Sequence, residues 1–258
     1  MRFAPIAAIV FSFTIILVAN SLEGGHLSSL IQPTAAMIVF GGTLGATWLA
    51  ATDQEIKHLI KFLPKVIQPA GGNRVKLVEA LVTAARIVRR EGIVALEKMM
   101  PDVENAFLRR GLQNLADGTS SEDMRRLLET EAEIEEEHGV ACGKLFEAAG
   151  GFSPTIGILG AVLGLIHVMR NLADPSQIGS GIAVAFVATV YGVGFANLVF
   201  IPLGTRLKKI AAAEAETRTM VLTGLLIIGS GAHPRYVKEV LDAYLSEKER
   251  AQIAEVGQ

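Results

Sequence analysis

Residues 150–171 read GGFSPTIGILGAVLGLIHVMRN, and residues 176–209 read SQIGSGIAVAFVATVYGVGFANLVFIPLGTRLKK. Between Gly150 and Gly204 this gives two apolar segments joined by a short polar link, Asn171 to Gln177. A helix rises 1.5 Å per residue, so about 20 apolar residues cross the roughly 30 Å hydrocarbon layer of a bilayer. Both segments reach that length, and the pair reads as a membrane hairpin. Gly157, Gly160 and Gly164 recur at spacings of three and four in the first segment. Ala185, Ala188, Gly192 and Ala196 do the same in the second. Each helix therefore carries a ridge of small side chains along which another helix can approach closely. Two threonines sharpen the case. Thr155 follows Pro154 near one end of the first segment, and Thr189 sits in the middle of the second. In hydrocarbon a hydroxyl needs a hydrogen-bond partner or costs about 1–3 kcal/mol, and the carbonyl one turn back is one candidate partner.

Outward from the hairpin the chain is segregated. It has 258 residues, 50% hydrophobic and 6% aromatic, with a positive mean hydropathy; this is too apolar for a soluble domain and too charged to lie wholly in lipid. Phe3 to Leu22 is a further uncharged apolar segment. Its apolar run exceeds a signal-peptide core and no small-x-small cleavage site follows, so it reads as a retained helix. After the short link Glu23 to Ser29, Leu30 to Ala51 forms a second span containing Gly41, Gly42 and Gly45. Four spans place both termini on one side. Of the 24 Lys and Arg, 14 lie in 52–150 and 8 follow Gly204. Lys57, Lys61 and Lys65 follow the second span, Lys144 precedes the third, and Arg206, Lys208 and Lys209 follow the fourth. Positive charge marks the cytoplasmic side, so the large loop and the tail are expected there. The expected fold class is all-α: a polytopic membrane protein with four transmembrane helices and a large cytoplasmic helical domain. Its segments are 1–51, 52–150, 151–204 and 205–258.

The expected cytoplasmic loop is helical by pattern, with breaks at Pro64, the Pro69–Asn73 turn, Gly92 and Pro101 and an apolar face of Val75, Leu77, Val78, Leu81, Val82 and Ile87. After the Asp117–Glu122 turn a long helix is expected to about Ala149; its stretch from Glu129 to Glu137 carries six acids, which read as a solvated face. Met220 to Ile228 is apolar but too short to span, and is expected to pack on the loop domain. The near-zero net charge of −2 argues against nucleic acid as a partner. The single cysteine, Cys142, cannot form an internal disulfide. No Ser-His pair, paired aspartates or HExxH motif points to an enzyme. His233 lacks the neighbouring ligands that a metal would need, so no cofactor or metal site is expected. The spans hold no Asp, Glu or Lys; their only histidine is His167, near Arg170 at the outer end of the third. An interfacial histidine and a snorkelling arginine are the plain reading, and a proton-entry role for His167 the other. An ion crossing hydrocarbon needs a titratable or coordinating relay, usually a carboxyl; if this chain conducts, a partner should supply it.

Ser153-Pro154-Thr155-Ile156-Gly157-Ile158-Leu159-Gly160 and Ala185-Phe186-Val187-Ala188-Thr189-Val190-Tyr191-Gly192, with Ile201-Pro202-Leu203 closing the fourth span, resemble the third and fourth spans of the MotA family, stator subunits of the bacterial flagellar motor. The Pro-Thr and Ala-Thr pieces recur more loosely in ExbB and TolQ. The resemblance covers essentially the whole chain. It implies an ion-conducting stator in the bacterial inner membrane, and five such chains around two helices of a MotB-like partner that brings the essential aspartate. Thr155 and Thr189 would line the ion pathway, with Pro154 and Pro202 as conformational hinges. In such proteins a loop arginine, and a glutamate eight positions later, face the rotor protein FliG. Arg89 and Glu97 have that spacing and Arg90 is an adjacent candidate, although intrahelical charge pairing would also account for this cluster. Sodium-type relatives tend to carry a second threonine just before the fourth-span one; here Ala188 stands there, so the resemblance favours protons over sodium. The alternatives are an ExbB- or TolQ-type energiser, which usually has three spans with the loop after the first, and a self-contained solute transporter, for which the chain lacks an internal repeat and a polar midplane site.

Overall fold

The computed structural model describes residues 3–67, 73–170 and 175–256, with no strand among them. Most of the Pro69–Asn73 turn and the first part of the Asn171–Gln177 link lie outside the described residues. The chain divides into two compact units, Met1–Pro69 with His138–Ile210, and Ala70–Glu137 with Ala211–Gln258. The segments 52–150 and 205–258 therefore each contribute to both.

The first unit holds the apolar helices. Ala4–Leu22 starts with proline in its first turn, where the missing N–H costs nothing. Ser12 and Ser21 donate to Ala8 O and Leu17 O, each at 2.9 Å, so their hydroxyls are satisfied one turn back. The second span begins at Pro33 and widens to a π-helical turn at Met37–Gly41 before Gly42–Ala50. The third belongs to one unbroken helix, Ser121–Arg170, where the sequence suggested a stop near Ala149. Packing accounts for the difference. A Cβ on Gly150 would stand 2.5 Å from Ile201 Cγ1, so the backbone there is held by a tight contact that outweighs the weak helix propensity of Gly150-Gly151. The fourth span is Pro175–Phe195, a π-helical turn at Ala196–Phe200, and the long helix Ile201–Gly229. Among the described residues, four helices are long and apolar enough to cross a membrane. After the second span, Asp53–Phe62 is set by a capping box, with Thr52 accepting the Glu55 N–H and Glu55 accepting the Thr52 N–H. This amphipathic helix buries Phe62 against Cys142 and Leu207.

The second unit has an ordinary apolar core. Leu81, Leu96, Leu108, Leu112, Met124, Leu128, Leu225 and Leu241 are fully buried in it. The run Met220 to Ile228 packs into this core, as its length and polarity predicted. Helix Arg74–Glu91 ends at Gly92, whose φ of 87° lies in the left-handed region that favours glycine. The chain then tightens into the 3-10 helix Ile93–Asp102. Arg74 ties the unit together, donating to Thr217 Oγ1 at 3.0 Å, Tyr244 O at 3.2 Å and Ala213 O at 3.2 Å, and pairing with Glu216 at 2.7 Å. The acidic stretch is not purely solvated, since Glu131 pairs with Arg110 and Glu135 meets Arg218 at 3.6 Å. His233 caps Pro234–Asp242, its Nδ1 accepting the Arg235 N–H at 3.1 Å.

Candidate ion-translocation site

The glycines at spacings of three and four let the third and fourth spans meet backbone to backbone. A Cβ on Gly157 would lie 2.8 Å from Ala188 O, and one on Gly192 would lie 2.6 Å from Ser153 O. Neither position admits a larger side chain without moving main chain. Ser153, fully buried, donates its hydroxyl to Gly192 O at 3.0 Å and bolts the two helices together at this level.

That apposition brings together two of the residues singled out in the sequence. The same Cβ on Gly157 would stand 3.5 Å from Thr189 Cα, and the one on Gly192 would stand 3.3 Å from Pro154 Cα. Pro154 and Thr189 therefore flank the contact of the two helices, and Thr155 follows Pro154 in the chain. Thr155 is exposed and donates to Phe152 O at 2.8 Å; Thr189 is half-buried and donates to Ala185 O at 3.2 Å. Each hydroxyl is satisfied within its own helix, yet keeps oxygen lone pairs that can accept from a protonated carboxyl or a water. Pro202 stands further along, just past the π-helical turn. A proline ring crowds the carbonyl four residues back and offers no N–H; here the Ile201 N–H reaches five residues back to Ala196 O. The widened turn is the local response to that proline.

Arg89, Arg90 and Glu97 lie in the second unit, at the end of Arg74–Glu91 and within Ile93–Asp102, and all three are exposed. The ion pair in this region is Lys98 with Glu91 at 3.1 Å; the two arginines and Glu97 have no ion pair among the described residues. His167 and Arg170 are exposed in the last turn of their helix.

Two contributors escaped sequence reasoning. Ser153 looked like part of a Ser-Pro-Thr motif rather than a cross-helix bolt. Tyr191 donates its hydroxyl to Leu30 O and accepts the Gln32 N–H at 3.3 Å, fixing the entry to the second span against the fourth. Phe40 stacks on the Tyr191 ring at 5.8 Å and meets Phe195 edge-on at 4.6 Å. A lone tyrosine inside an apolar run was the available signal, because a buried Tyr hydroxyl usually finds a partner.

Residues 6–92 match the family described as Motility protein A N-terminal, and residues 100–220 match the MotA/TolQ/ExbB proton channel family. Motility protein A of Bacillus subtilis (strain 168) is 32% identical over 254 residues, covering 97% of this chain and 93% of that one. The chain belongs to the MotA family. Two solved structures share its fold at full length. The C. jejuni MotAB structure gives a TM-score of 0.90 at 31% identity, over 96% of this chain and 97% of that one. The flagellar MotAB stator complex from Bacillus subtilis gives 0.86 at 31% identity, over 96% and 98%. As a MotA-family member the chain is a membrane-embedded stator subunit of the flagellar motor.

Proposed function

We propose that this chain forms the shell of a proton-driven stator and takes its titrating carboxyl from a MotB-like single-span partner. One observation carries the reading: the spans contain no Asp, Glu or Lys, while Pro154 and Thr189 lie where the third and fourth helices touch, with Thr155 next to Pro154 in the chain. A partner carboxylate held in low dielectric has its pKa raised, so it takes a proton from the outer side, becomes neutral, and releases it inward. Thr155 and Thr189 hydrogen-bond that carboxyl or its water in one charge state more than in the other. Pro154 and Pro202, each interrupting the helix ladder, let the helices respond by discrete bends. One charge crossing 100 mV supplies about 2.3 kcal/mol per step. Protons are favoured over sodium because Ala188 supplies no second hydroxyl beside Thr189; motility that stops on sodium removal and survives a protonophore would reverse that choice.

Five copies around two partner helices, in the bacterial inner membrane with both termini cytoplasmic, is the assembly this reading expects. The Lys and Arg that flank the second, third and fourth spans support the orientation. Thr189→Ala should lower swimming speed and proton flux by about tenfold or more, the effect of losing one hydrogen bond to a charged group, and Pro154→Leu, which restores a helix N–H and removes the hinge, should lower both as well, with membrane insertion unchanged. Wild-type motility in both variants would reject the site. Arg89, Arg90 and Glu97 are the proposed contact with FliG. Arg89→Glu or Glu97→Lys should lower torque in complexes that still assemble and conduct, and unaltered torque in both would move the contact elsewhere.

A further inference from the structure

We propose that Asn197 is a second polar station on the ion path, taking a proton-bearing water between the Thr155–Thr189 pair and the cytoplasmic end of the fourth span. The inference rests on the reading of the third and fourth spans as that path. Asn197 lies eight residues beyond Thr189, about 12 Å along a helix, toward the end carrying Arg206, Lys208 and Lys209. It sits in the uncovered stripe of the fourth span. Ile182, Phe186, Val190, Val193 and Ile201 are all exposed along that stripe, and Asn197, also exposed, is the one polar side chain among them. A polar group left unsatisfied toward lipid costs about 1–3 kcal/mol, whereas valine or leucine would cost nothing there; the Asn197 amide satisfies one N–H on Val193 O and leaves Oδ1 and the other N–H without a bond to its own helix. The position therefore faces something polar in the assembled stator.

The backbone at this point has the same character. Ile201 N–H, which in a regular α-helix would serve Asn197 O, bonds Ala196 O instead. Pro202, the next residue that could reach back, has no N–H. Asn197 thus presents its main-chain carbonyl without a donor from the following turn. Its side chain spends one N–H on Val193 O at 2.9 Å, which holds the amide in place and leaves Oδ1 and the second N–H for a ligand. Two oxygens and one N–H in a notch made by a π-helical turn suit a water that accepts and hands on a proton. They offer no titratable group that would trap it. The widened turn and the amide act together, and Pro202 then has a role beyond bending, since it keeps the Asn197 carbonyl open.

The test uses the full complex of this chain with its single-span partner, reconstituted in vesicles containing a pH-sensitive dye, with flux driven by a potassium diffusion potential. Asn197→Leu should co-purify with the partner in normal amounts and lower proton flux by about tenfold or more, equivalent to about 1.4 kcal/mol. Asn197→Gln, which keeps the amide, should recover most of the flux. Wild-type flux in Asn197→Leu, with flux lost in Thr189→Ala, overturns the second station and leaves the site reading intact. Wild-type flux in both variants overturns the two together. Failure of Asn197→Leu to co-purify makes Asn197 an assembly contact and also overturns the proposal.

Discussion

The two units spend their apolar residues in opposite ways. In the unit that contains Leu81, Leu108 and Leu112, the large aliphatic side chains are inside and fully buried. In the unit that contains the spans, Ile158, Leu163, Phe186 and Trp48 are exposed, and no residue of Ala4–Leu22 is buried. Where the third and fourth spans meet, the close contacts are made by small buried residues: Gly157, Gly160, Gly164, Ala188 and Gly192. Water drives the first arrangement, because apolar surface removed from it is worth about 25 cal/mol per Å². Lipid offers no such reward, so helices meet where their backbones can come close and leave large side chains for the solvent hydrocarbon. The lesson is that burial means different things in the two units. An exposed leucine in the spans is ordinary; an exposed Thr155 or Asn197 is information.

The largest expected effect sharpens that contrast. Leu112→Ala removes a fully buried side chain and should cost about 2–5 kcal/mol, seen as a lower thermal midpoint and poor recovery of folded protein. Leu163→Ala, on the exposed face of the third span, should change the midpoint little in detergent or lipid. Equal losses at both positions would break the comparison. A much smaller effect is expected at Glu55, which follows the second span. Its carboxylate accepts the Thr52 N–H at 2.8 Å and the Thr52 hydroxyl at 2.9 Å, and these bonds, the backbone one foremost, hold its pKa below the usual carboxylate value. A group whose folded pKa is lowered adds stability above its unfolded pKa, about 4.3 for Glu, and loses it as pH falls through the folded value. Helix Asp53–Phe62 should therefore loosen slightly below about pH 4, read as faster amide exchange at Glu55 and Ile56. Glu55→Gln should remove that pH dependence, and an identical acid response in the variant would assign the loosening to other groups.

Much of this was legible in the sequence for physical reasons. Segment length against bilayer thickness gave four spans, the small-residue ridges gave the close pairing of the third and fourth, and the length of Met220 to Ile228 gave its place in the soluble core. Pro154, Thr155 and Thr189 could be singled out because polar and helix-breaking residues stand out in an apolar run. Other features depend on neighbours far along the chain. The unbroken passage of Ser121–Arg170 through Gly150-Gly151 depends on Ile201, the bolt at Ser153 depends on Gly192 O, and the Tyr191 anchor depends on Leu30 and Gln32. Asn197 drew no reading from the sequence, because the open backbone carbonyl beside it is created by a π-helical turn that no local pattern announces.

The division of labour is tested most directly by proton flux into vesicles, with this chain alone and with a co-purified single-span partner that bears an acid near its N-terminus. The account predicts no flux above empty vesicles for the chain alone, a protonophore-independent flux with the partner, and its loss when the partner's acid becomes an amide. Proton conduction by the chain alone, through a residue of its own, would contradict it.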